Sequence, residues 1–415
     1  MKTGDSDLIK QINKHRILSA FRPNNSLARI EIANITNLSP ATVTVLTQEL
    51  LDAGLLLERQ VAAAGPARPR GRPRVALGLN PDAAYVVGAK ISMHQVAVSI
   101  TNFVGEVLHE DTSLVRVNRQ PPEVVADLME ELVSKAAASL GLPLARLSGL
   151  GIGLPGFIDS VAGVCHWSPV FGAKAIPFSA MMRQRLNLPV FVDNDANLVT
   201  LAEQWFGRGR GLSDFLVVSI EHGVGMGAVI GGELYRGHRG FGSEFGHTKI
   251  QRNGALCRCG QRGCVEAYVA DYAIVREAGA FMSIPDLSDP VELRRTMVEL
   301  IAKTRAKEPS LQPLFDRAGE ALGVGVANLI NLFNPPLVIL SGSGVQAFDL
   351  LESRFFQSLK SNALSVEQQD TAVVIGSWDD GVWARGAAAL VLQSLYQAPL
   401  ARPIATGNRS DGQKS

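Results

Sequence analysis

The chain has 415 residues, of which 46% are hydrophobic and 19% charged. This length and composition are typical of a globular protein with two or three domains, and they exclude a disulfide-stapled miniprotein, wholesale disorder and a collagen-like repeat. The longest apolar stretches, residues 215–220 and 322–333, are shorter than the roughly 18 residues that a membrane helix needs. Residues 1–10 lack the apolar core of a secretory signal. We therefore expect a cytoplasmic protein with no membrane segment.

The charge is distributed unevenly along the chain. The formal net charge is +1, but residues 1–80 contain eleven Lys/Arg and six Asp/Glu, which leaves the rest of the chain acidic. A basic N-terminal module on an acidic body is typical of a nucleic-acid-binding domain joined to a second function.

Residues 1–58 have the spacing of three short helices. We expect Ser26 to cap the second of them. The third is the best defined, because Ser39 is a good N-cap, Pro40 suits the first helical position and Gly54 ends the pattern, which predicts a helix over residues 40–53. Its apolar face is formed by Val43, Leu46 and Leu50.

The opposite face of the third helix suits close approach to DNA bases. It presents small or polar side chains, namely Ser39, Ala41, Thr42, Thr44, Val45 and Gln48. Strands predicted over 55–58 and 75–79 flank a loop whose Arg70, Arg72 and Arg74 suit a narrow minor groove. We predict a winged helix-turn-helix domain over residues 1–80. The alternatives are a helical dimerisation module and, for the loop, a solvated linker.

From residue 83 onward, strands and helices alternate, which indicates an α/β fold. Two similar hairpins, residues 85–100 and 215–230, suggest an internal duplication. Residues 402–415 are polar and are expected to be a disordered tail.

A cluster of potential metal ligands follows the second hairpin. His247, Cys257, Cys259 and Cys264 form a complete tetrahedral zinc set, and intervening glycines allow the sharp turns of such a loop. Four protein ligands leave no position open for water, so the predicted zinc is structural. The alternative is a surface loop with three reduced cysteines.

Three motifs resemble one known family. Residues 242–247 (Gly-Ser-Glu-Phe-Gly-His) with the cysteine cluster and Glu266, residues 151–156 (Gly-Ile-Gly-Leu-Pro-Gly) and residues 193–197 (Asp-Asn-Asp-Ala-Asn) resemble the signature of the ROK family. This family contains sugar kinases and sugar-responsive repressors on an actin-like, ribonuclease H-like fold. The resemblance covers about residues 8–395, and the N-terminal module is similar to that of the repressor branch.

The resemblance implies domain limits and residue roles. A first lobe would span residues 81–195, completed by a C-terminal helix at about 380–396, and a second lobe with the zinc loop would span 196–379. The residues implied to bind sugar hydroxyls are Asn194, Asp195, Glu244, His247 and Glu266. Asp195 matches the general base of the kinases, and His247 would also bind zinc. Taken singly, these acids could be surface charges, and Asp195 could be a helix cap.

The sequence departs from the kinases where they hold phosphate. Their Asp-x-Gly-Gly-Thr motif is replaced by Lys-Ile-Ser-Met-His at residues 90–94, and their second Thr-Gly by His222-Gly223. A partial glycine loop persists at residues 341–344, whereas an asparagine typical of the loop after Asp159 is missing. We therefore expect that ATP is not used and that the sugar specificity differs.

These features predict a non-enzymatic, sugar-responsive regulator that binds operator DNA as a homodimer or tetramer, most simply as a repressor of carbohydrate uptake or catabolism genes. The effector could be a hexose, an amino sugar, a pentose or a sugar phosphate. Two alternatives stay open: an ATP-dependent sugar kinase with a regulatory head, and a repressor controlled by a protein partner that docks on the zinc-bearing lobe.

Overall fold

The computed structural model describes residues 4–60, 75–284, 286–287, 289–307, 310–364, 370–376 and 380–397. Two predictions lie outside these residues: the arginine loop with Arg70, Arg72 and Arg74, and the C-terminal tail 402–415.

The N-terminal head, residues 4–60 and 75–79, combines three helices with a small antiparallel sheet. Its elements are α1 (Gly4–Ala20), β1 (Leu27–Ala28), α2 (Arg29–Thr36), α3 (Pro40–Asp52), β2 (Leu56–Gln60) and β3 (Val75–Leu79), with strand order β1-β3-β2. The predicted cap at Ser26 is wrong. The N-cap of α2 is Ala28, because residues 27–28 pair with β3 and the Ala28 amide donates to the Glu31 carboxylate at 2.6 Å.

Helix α3 begins as its sequence predicts. The Ser39 hydroxyl accepts a hydrogen bond from the Thr42 amide at 3.1 Å, and Gly54 follows the helix with a φ of 71°. The predicted inner face, Val43, Leu46 and Leu50, is buried.

Two five-stranded sheets form the rest of the chain. The first contains β4 (Tyr85–Ile91), β5 (Gln95–Asn102), β6 (Val107–Leu114), β7 (Leu147–Leu154) and β10 (Val190–Asn194) in the order β10-β7-β4-β5-β6. The second contains β11 (Phe215–Ile220), β12 (Val224–Ile230), β13 (Glu233–Tyr235), β14 (Leu337–Ser341) and β15 (Ala372–Ile375) in the order β13-β12-β11-β14-β15. In each sheet an antiparallel meander is followed by parallel strands, so the predicted duplication is confirmed.

The helices and one further hairpin complete the fold. They are β8 (Phe157–Asp159), β9 (Val164–Trp167), α4 (Pro122–Ser139), α5 (Phe178–Leu186), α6 (Asp195–Trp205), α7 (Glu266–Val269), α8 (Asp271–Ala278), α9 (Pro290–Arg305), α10 (Gln312–Phe333), α11 (Phe348–Asn362) and α12 (Asp380–Gln397). No helix in the described part of the chain is long and apolar enough to cross a membrane.

Helices α6 and α12 pack between the two sheets. A Cβ atom on Gly88 of β4 or on Gly151 of β7 would overlap the backbone of α12, so glycine allows this close approach. Side chains from both helices share a buried cluster with the second sheet, among them Val199 and Trp383. The two helices are therefore in contact with both lobes.

The head rests on the C-terminal ends of the same two helices. Phe21 of the head shares a hydrophobic cluster with Trp205 of α6 and Tyr396 of α12. The guanidinium of Arg22 lies 4.1 Å from the Trp205 ring centroid and donates to the Gln204 carbonyl at 3.1 Å. The head is thus fixed to the body by stacking and hydrogen bonding.

Candidate functional site

The junction of β10 and α6 is held by a buried carboxylate. Asp193, 1% exposed, accepts hydrogen bonds at 2.8 Å from the Arg236 guanidinium and from the Asn197 amide. Sequence reasoning did not find Arg236, which lies 43 residues away and belongs to none of the motifs. The predicted residues Asn194 and Asp195 follow directly, so their backbone is fixed.

Asn194, rather than Asp195, is the N-cap of α6. Its side-chain oxygen accepts from the Ala196 amide at 2.9 Å, and its amide group donates to the Gly156 carbonyl at 2.9 Å. The Asp195 carboxylate accepts from the same amide at 3.0 Å, so it shares this contact with Asn194. Burial raises the pKa of Asp195 to about 6, while the neighbouring Lys90 opposes this rise and Glu221 adds to it.

The other predicted sugar-binding residues lie near the start of β12. The buried Glu266 accepts from the Val224 amide at 3.3 Å and from the Tyr272 hydroxyl at 3.4 Å. The pKa of the exposed Glu244 is raised because nearby protein displaces water, with His247 opposing the rise and Glu266 adding to it. The three side chains therefore lie within electrostatic reach of one another.

The packing of β12 on α6 brings these two groups of residues to the same region. Gly225 follows Val224, and a Cβ atom on it would lie 2.9 Å from the Cβ of Ala196, next to Asp195. The five predicted residues, from two separate motifs, thus lie on segments that meet near the start of α6. Their roles in sugar binding stay predictions.

The predicted metal ligands form a compact cluster. The ligand atoms of His247, Cys257, Cys259 and Cys264 all lie within 4.8 Å of one another. The His247 Nδ1 to Cys257 Sγ distance is 3.7 Å and the Cys259 to Cys264 Sγ distance is 3.8 Å. A tetrahedral zinc ion with Zn–S bonds of about 2.3 Å requires edges of about 3.8 Å. The four side chains can therefore hold a metal ion of this kind.

Backbone pairing fixes the cluster in the fold. The Ile250 amide donates to the Gly263 carbonyl at 2.9 Å, and the Val265 amide donates to the Thr248 carbonyl at 3.1 Å, which joins the His247 segment to the cysteine loop. Gly263 has a φ of 78°, and a Cβ atom there would overlap the Gln251 carbonyl oxygen. Only glycine fits this turn, as the sequence led us to expect.

The two hairpin tips, which depart from the kinase pattern, meet across the cleft between the sheets. The Lys90 ammonium lies 3.1 Å from the Glu221 carboxylate, and the rings of His94 and His222 stack at 5.4 Å between centroids. The sequence identified Lys90 as a departure but not its partner Glu221, 131 residues away.

The glycines of the 341–344 loop have a packing role. A Cβ atom on Gly342 or Gly344 would overlap Ile220 at the end of β11. These glycines are therefore explained without a nucleotide.

The predicted DNA-facing residues of α3 lie mostly on its solvent side. Ser39, Ala41, Thr44, Val45 and Gln48 are exposed, and Thr42 is half-buried. Four of these side chains already have local partners: the Ser39 and Thr42 hydroxyls lie 2.8 Å apart, the Thr44 hydroxyl donates to the Pro40 carbonyl at 2.8 Å, and the Gln48 amide donates to Asp52 at 2.9 Å. The surface of α3 is thus available to another molecule, and DNA contact by these residues stays a prediction.

Two lobes with the same strand order, preceded by a winged helix-turn-helix, define an actin-like domain joined to a head of the type that binds DNA. Residues 86–394 match the model described as "ROK family", and the chain belongs to this family.

Relatives along the whole length are transcriptional regulators. The "Xylose repressor" of Caldicellulosiruptor bescii is 28% identical over 402 residues, which cover 95% of this chain and 99% of the relative. A solved structure described as a ROK family transcriptional regulator, homologous to the E. coli Mlc protein, is 27% identical with a TM-score of 0.78 and covers 94% of this chain and 97% of its own. The ROK hexokinase of Thermus thermophilus is 28% identical with a TM-score of 0.60, and covers 74% of this chain and 97% of its own.

Proposed function

We propose that the chain is a sugar-responsive, DNA-binding transcriptional regulator that represses genes of carbohydrate uptake or catabolism. It comprises a DNA-binding head (1–80), a first lobe (81–195 with about 380–396) and a second lobe (196–379). The observation that carries the proposal is the docking of the head on α6, since this helix begins at Asp195 in the cleft and ends at Trp205 beneath Arg22. Such a regulator acts in the cytoplasm, where its DNA is.

Helix α3 is proposed to enter the major groove. Two heads of a homodimer, or of a tetramer, would place this helix in successive half-sites, while Arg70, Arg72 and Arg74 reach the minor groove. Val45 supports this role because it is 58% exposed at the centre of the solvent face, where an apolar side chain suits a thymine methyl group.

A pair of variants tests the DNA interface. Val45→Glu places a negative charge against DNA, and Val298→Glu makes the same change on α9 at a position that is also 58% exposed. After an operator has been selected from a random duplex library, we expect Val45→Glu to lose at least about tenfold in affinity, a typical cost of one unfavourable contact, and Val298→Glu to bind like the wild type. Equal affinity of the two variants, or no preference for any duplex, would refute the proposal.

Asn194, Asp195, Glu244, His247 and Glu266 are proposed to bind the hydroxyl groups of the sugar. Carboxylates and amides provide the acceptors and donors that neighbouring hydroxyls require. Structural zinc on His247 and the three cysteines would hold His247 by Nδ1 and leave Nε2 available to the ligand. It would also hold the segment that leads into Glu266, since the Val265 amide donates to the Thr248 carbonyl at 3.1 Å.

The sugar signal is proposed to reach the head through α6. Eleven helical residues span about 16 Å between Asp195 and Trp205. A sugar that binds one arrangement of the two lobes more tightly favours that arrangement, and the head moves with the lobes. Sugar must then weaken operator binding by the same factor as operator weakens sugar binding.

The Arg22 contact tests this route. Arg22→Ala removes the stacking on Trp205 and the hydrogen bond to Gln204. We expect this variant to keep both binding activities while the factor by which sugar changes operator affinity falls towards one. Titrations of sugar with and without operator measure the factor, and an unchanged value would exclude this contact as the route.

A sugar kinase with a regulatory head is the second candidate, favoured by the likeness to the Thermus hexokinase. The Lys90–Glu221 pair argues against it, because a lysine does not bind the magnesium ion that phosphoryl transfer needs. A coupled assay with ATP, Mg²⁺ and a hexose panel decides: sugar-dependent turnover above about 1 s⁻¹ would establish the kinase. The third candidate is a repressor controlled by a protein partner. It would be established if operator binding responded to no sugar but to a protein bound to the zinc-bearing lobe.

A further inference from the structure

Lys90 and Glu221 form an ion pair between the two lobes. Lys90 belongs to β4 of the first sheet, and Glu221 follows β11 of the second. Lys90 is only 3% exposed, and its ammonium lies 3.1 Å from the Glu221 carboxylate and 3.6 Å from the ring centroid of Trp383 on α12. The positive charge of Lys90 is therefore already compensated by a carboxylate and by an aromatic face.

The backbone at the two hairpin tips is also engaged. The Ser92 amide donates to the Gln95 carbonyl at 2.9 Å, and the Glu221 amide donates to the Gly223 carbonyl at 2.8 Å. Phosphate sites in proteins commonly use backbone amides of such turns. These two amides donate within the chain instead.

The titratable groups described next to the pair include a neutral ring and two carboxyl groups. Burial lowers the pKa of His222 to about 4, so its ring is neutral at pH 7. Burial raises the pKa of Asp195 to about 6 and that of Asp271 to about 7, and in both cases Glu221 adds to the rise. Asp195 and Asp271 therefore each lie within electrostatic reach of Glu221, beside the compensated lysine.

Two arginines act on this region from outside the pair. Arg294 of α9 and Arg258 both lower the pKa of Asp271; Arg294 is exposed, and the Arg258 guanidinium stacks on Tyr272 at 4.0 Å and donates to the Leu287 carbonyl at 2.7 Å. Neither arginine is among the groups that shift the pKa of Asp195, so a negatively charged group that enters next to Asp195 would depend on Lys90 for its counter-charge.

We propose that the cleft binds an uncharged sugar and rejects its phosphate esters, with the Lys90–Glu221 pair as the specificity determinant. The inference rests on the proposed sugar-binding function and narrows its ligand class. Hydroxyl groups can hydrogen-bond to Asp195 without disturbing the pair, whereas a phosphate dianion would have to displace Glu221 from Lys90.

Glu221→Gln tests the charge argument. Glutamine keeps the length of the side chain and an acceptor for Lys90, but it removes one negative charge. The control is Glu299→Gln, which removes the same charge from an exposed Glu–Lys pair on α9, where Glu299 lies 2.7 Å from Lys303. Isothermal titration of the full-length protein uses glucose, xylose, N-acetylglucosamine, the corresponding phosphate esters, and inorganic phosphate.

The wild type and Glu299→Gln are expected to bind one of the uncharged sugars at least tenfold more tightly than its ester and to show no heat with phosphate. Glu221→Gln is expected to gain at least tenfold in affinity for phosphate or an ester. Tighter binding of an ester by the wild type would overturn the inference, as would equal phosphate binding by the two variants.

The wild-type comparison alone keeps the inference testable if Glu221→Gln does not fold. Failure of the proposed function looks different: no sugar or ester binds to any of the three proteins. In that case the phosphate titrations of the two variants still decide whether Glu221 compensates Lys90.

Discussion

Removing one cysteine ligand tests the zinc assignment with little disturbance of the fold. Cys259 is exposed, unlike Cys257 and Cys264, so Cys259→Ser removes a thiolate without leaving a buried cavity. Structural zinc in small domains contributes about 10–16 kcal/mol of apparent binding free energy. An equal share for each of four ligands is about 3 kcal/mol, or about a 100-fold loss of zinc affinity.

The loss of zinc has a second expected effect, on the cleft. Glu266 follows the cluster residue Cys264 by two positions, and His247 belongs to both the cluster and the proposed sugar site. The sugar-induced rise in melting temperature is therefore expected to shrink in Cys259→Ser. The fold is expected to survive, because the second lobe has a large hydrophobic core of its own.

Mass spectrometry of the metal after dialysis against a chelator measures the zinc content. Cys165→Ala is the matched control, since Cys165 is buried outside the cluster and burial raises the pKa of its thiol to about 12. We expect one zinc ion per chain in the wild type and in the control, and clearly less in Cys259→Ser. Full zinc retention by Cys259→Ser would show that the ligand set is wrong.

Three further variants test separate parts of the structure. Ser39→Ala removes the acceptor of the Thr42 amide and is expected to lower the free energy of unfolding of the head by about 1 kcal/mol in denaturant unfolding. Ser39→Asp keeps a capping oxygen, and equal stabilities of these two variants would contradict the cap assignment. Because the native pKa of Asp195 is about 6 against a usual 3.8, the native state binds this proton more tightly, so stability falls as the pH rises from about 4 to 6. Asp195→Asn is expected to lose this decrease in stability and to be more stable than the wild type at pH 7.5 by at most about 3 kcal/mol. Thermal melts of both proteins at pH 4.5 and 7.5 measure the effect, and the same pH dependence in both would refute the raised pKa of Asp195. Gly151→Ala forces a methyl group into the backbone of α12 at Ala387 and is expected to destabilise the protein by about 3 kcal/mol or more; a melting temperature like that of the wild type would contradict this packing.

Local patterns in the sequence predict much of the fold and the metal cluster. The strands 85–91, 215–220 and 224–230 coincide with β4, β11 and β12, because short apolar runs bounded by polar or glycine residues indicate strands that are buried on both faces. The four metal ligands lie within 18 consecutive residues, so their spacing could be recognised directly. Ser39 could be identified as a cap for the same reason.

Partners that are distant in sequence could not be predicted. Lys90 pairs with Glu221 across 131 residues, and Asp193 binds Arg236 across 43. The Ser26 prediction failed because pairing of residues 27–28 with β3, about fifty residues later, overrides the local capping preference. Tertiary contacts decide these cases, and a single sequence does not record them.

The same two helices connect the cleft with the head, which restricts how a ligand can act. Helix α6 begins at Asp195 and ends at Trp205, while α12 carries Trp383 beneath Lys90 and Tyr396 against Trp205 at 5.1 Å between ring centroids. A ligand that only fills the cleft, with equal affinity for every arrangement of these helices, cannot change operator binding however tightly it binds. In the proposed mechanism, regulation therefore requires that the contacts of the ligand at Asp195 differ between the DNA-bound and released states. The proposed sugar-binding residues of the cleft would then also set the direction of the response.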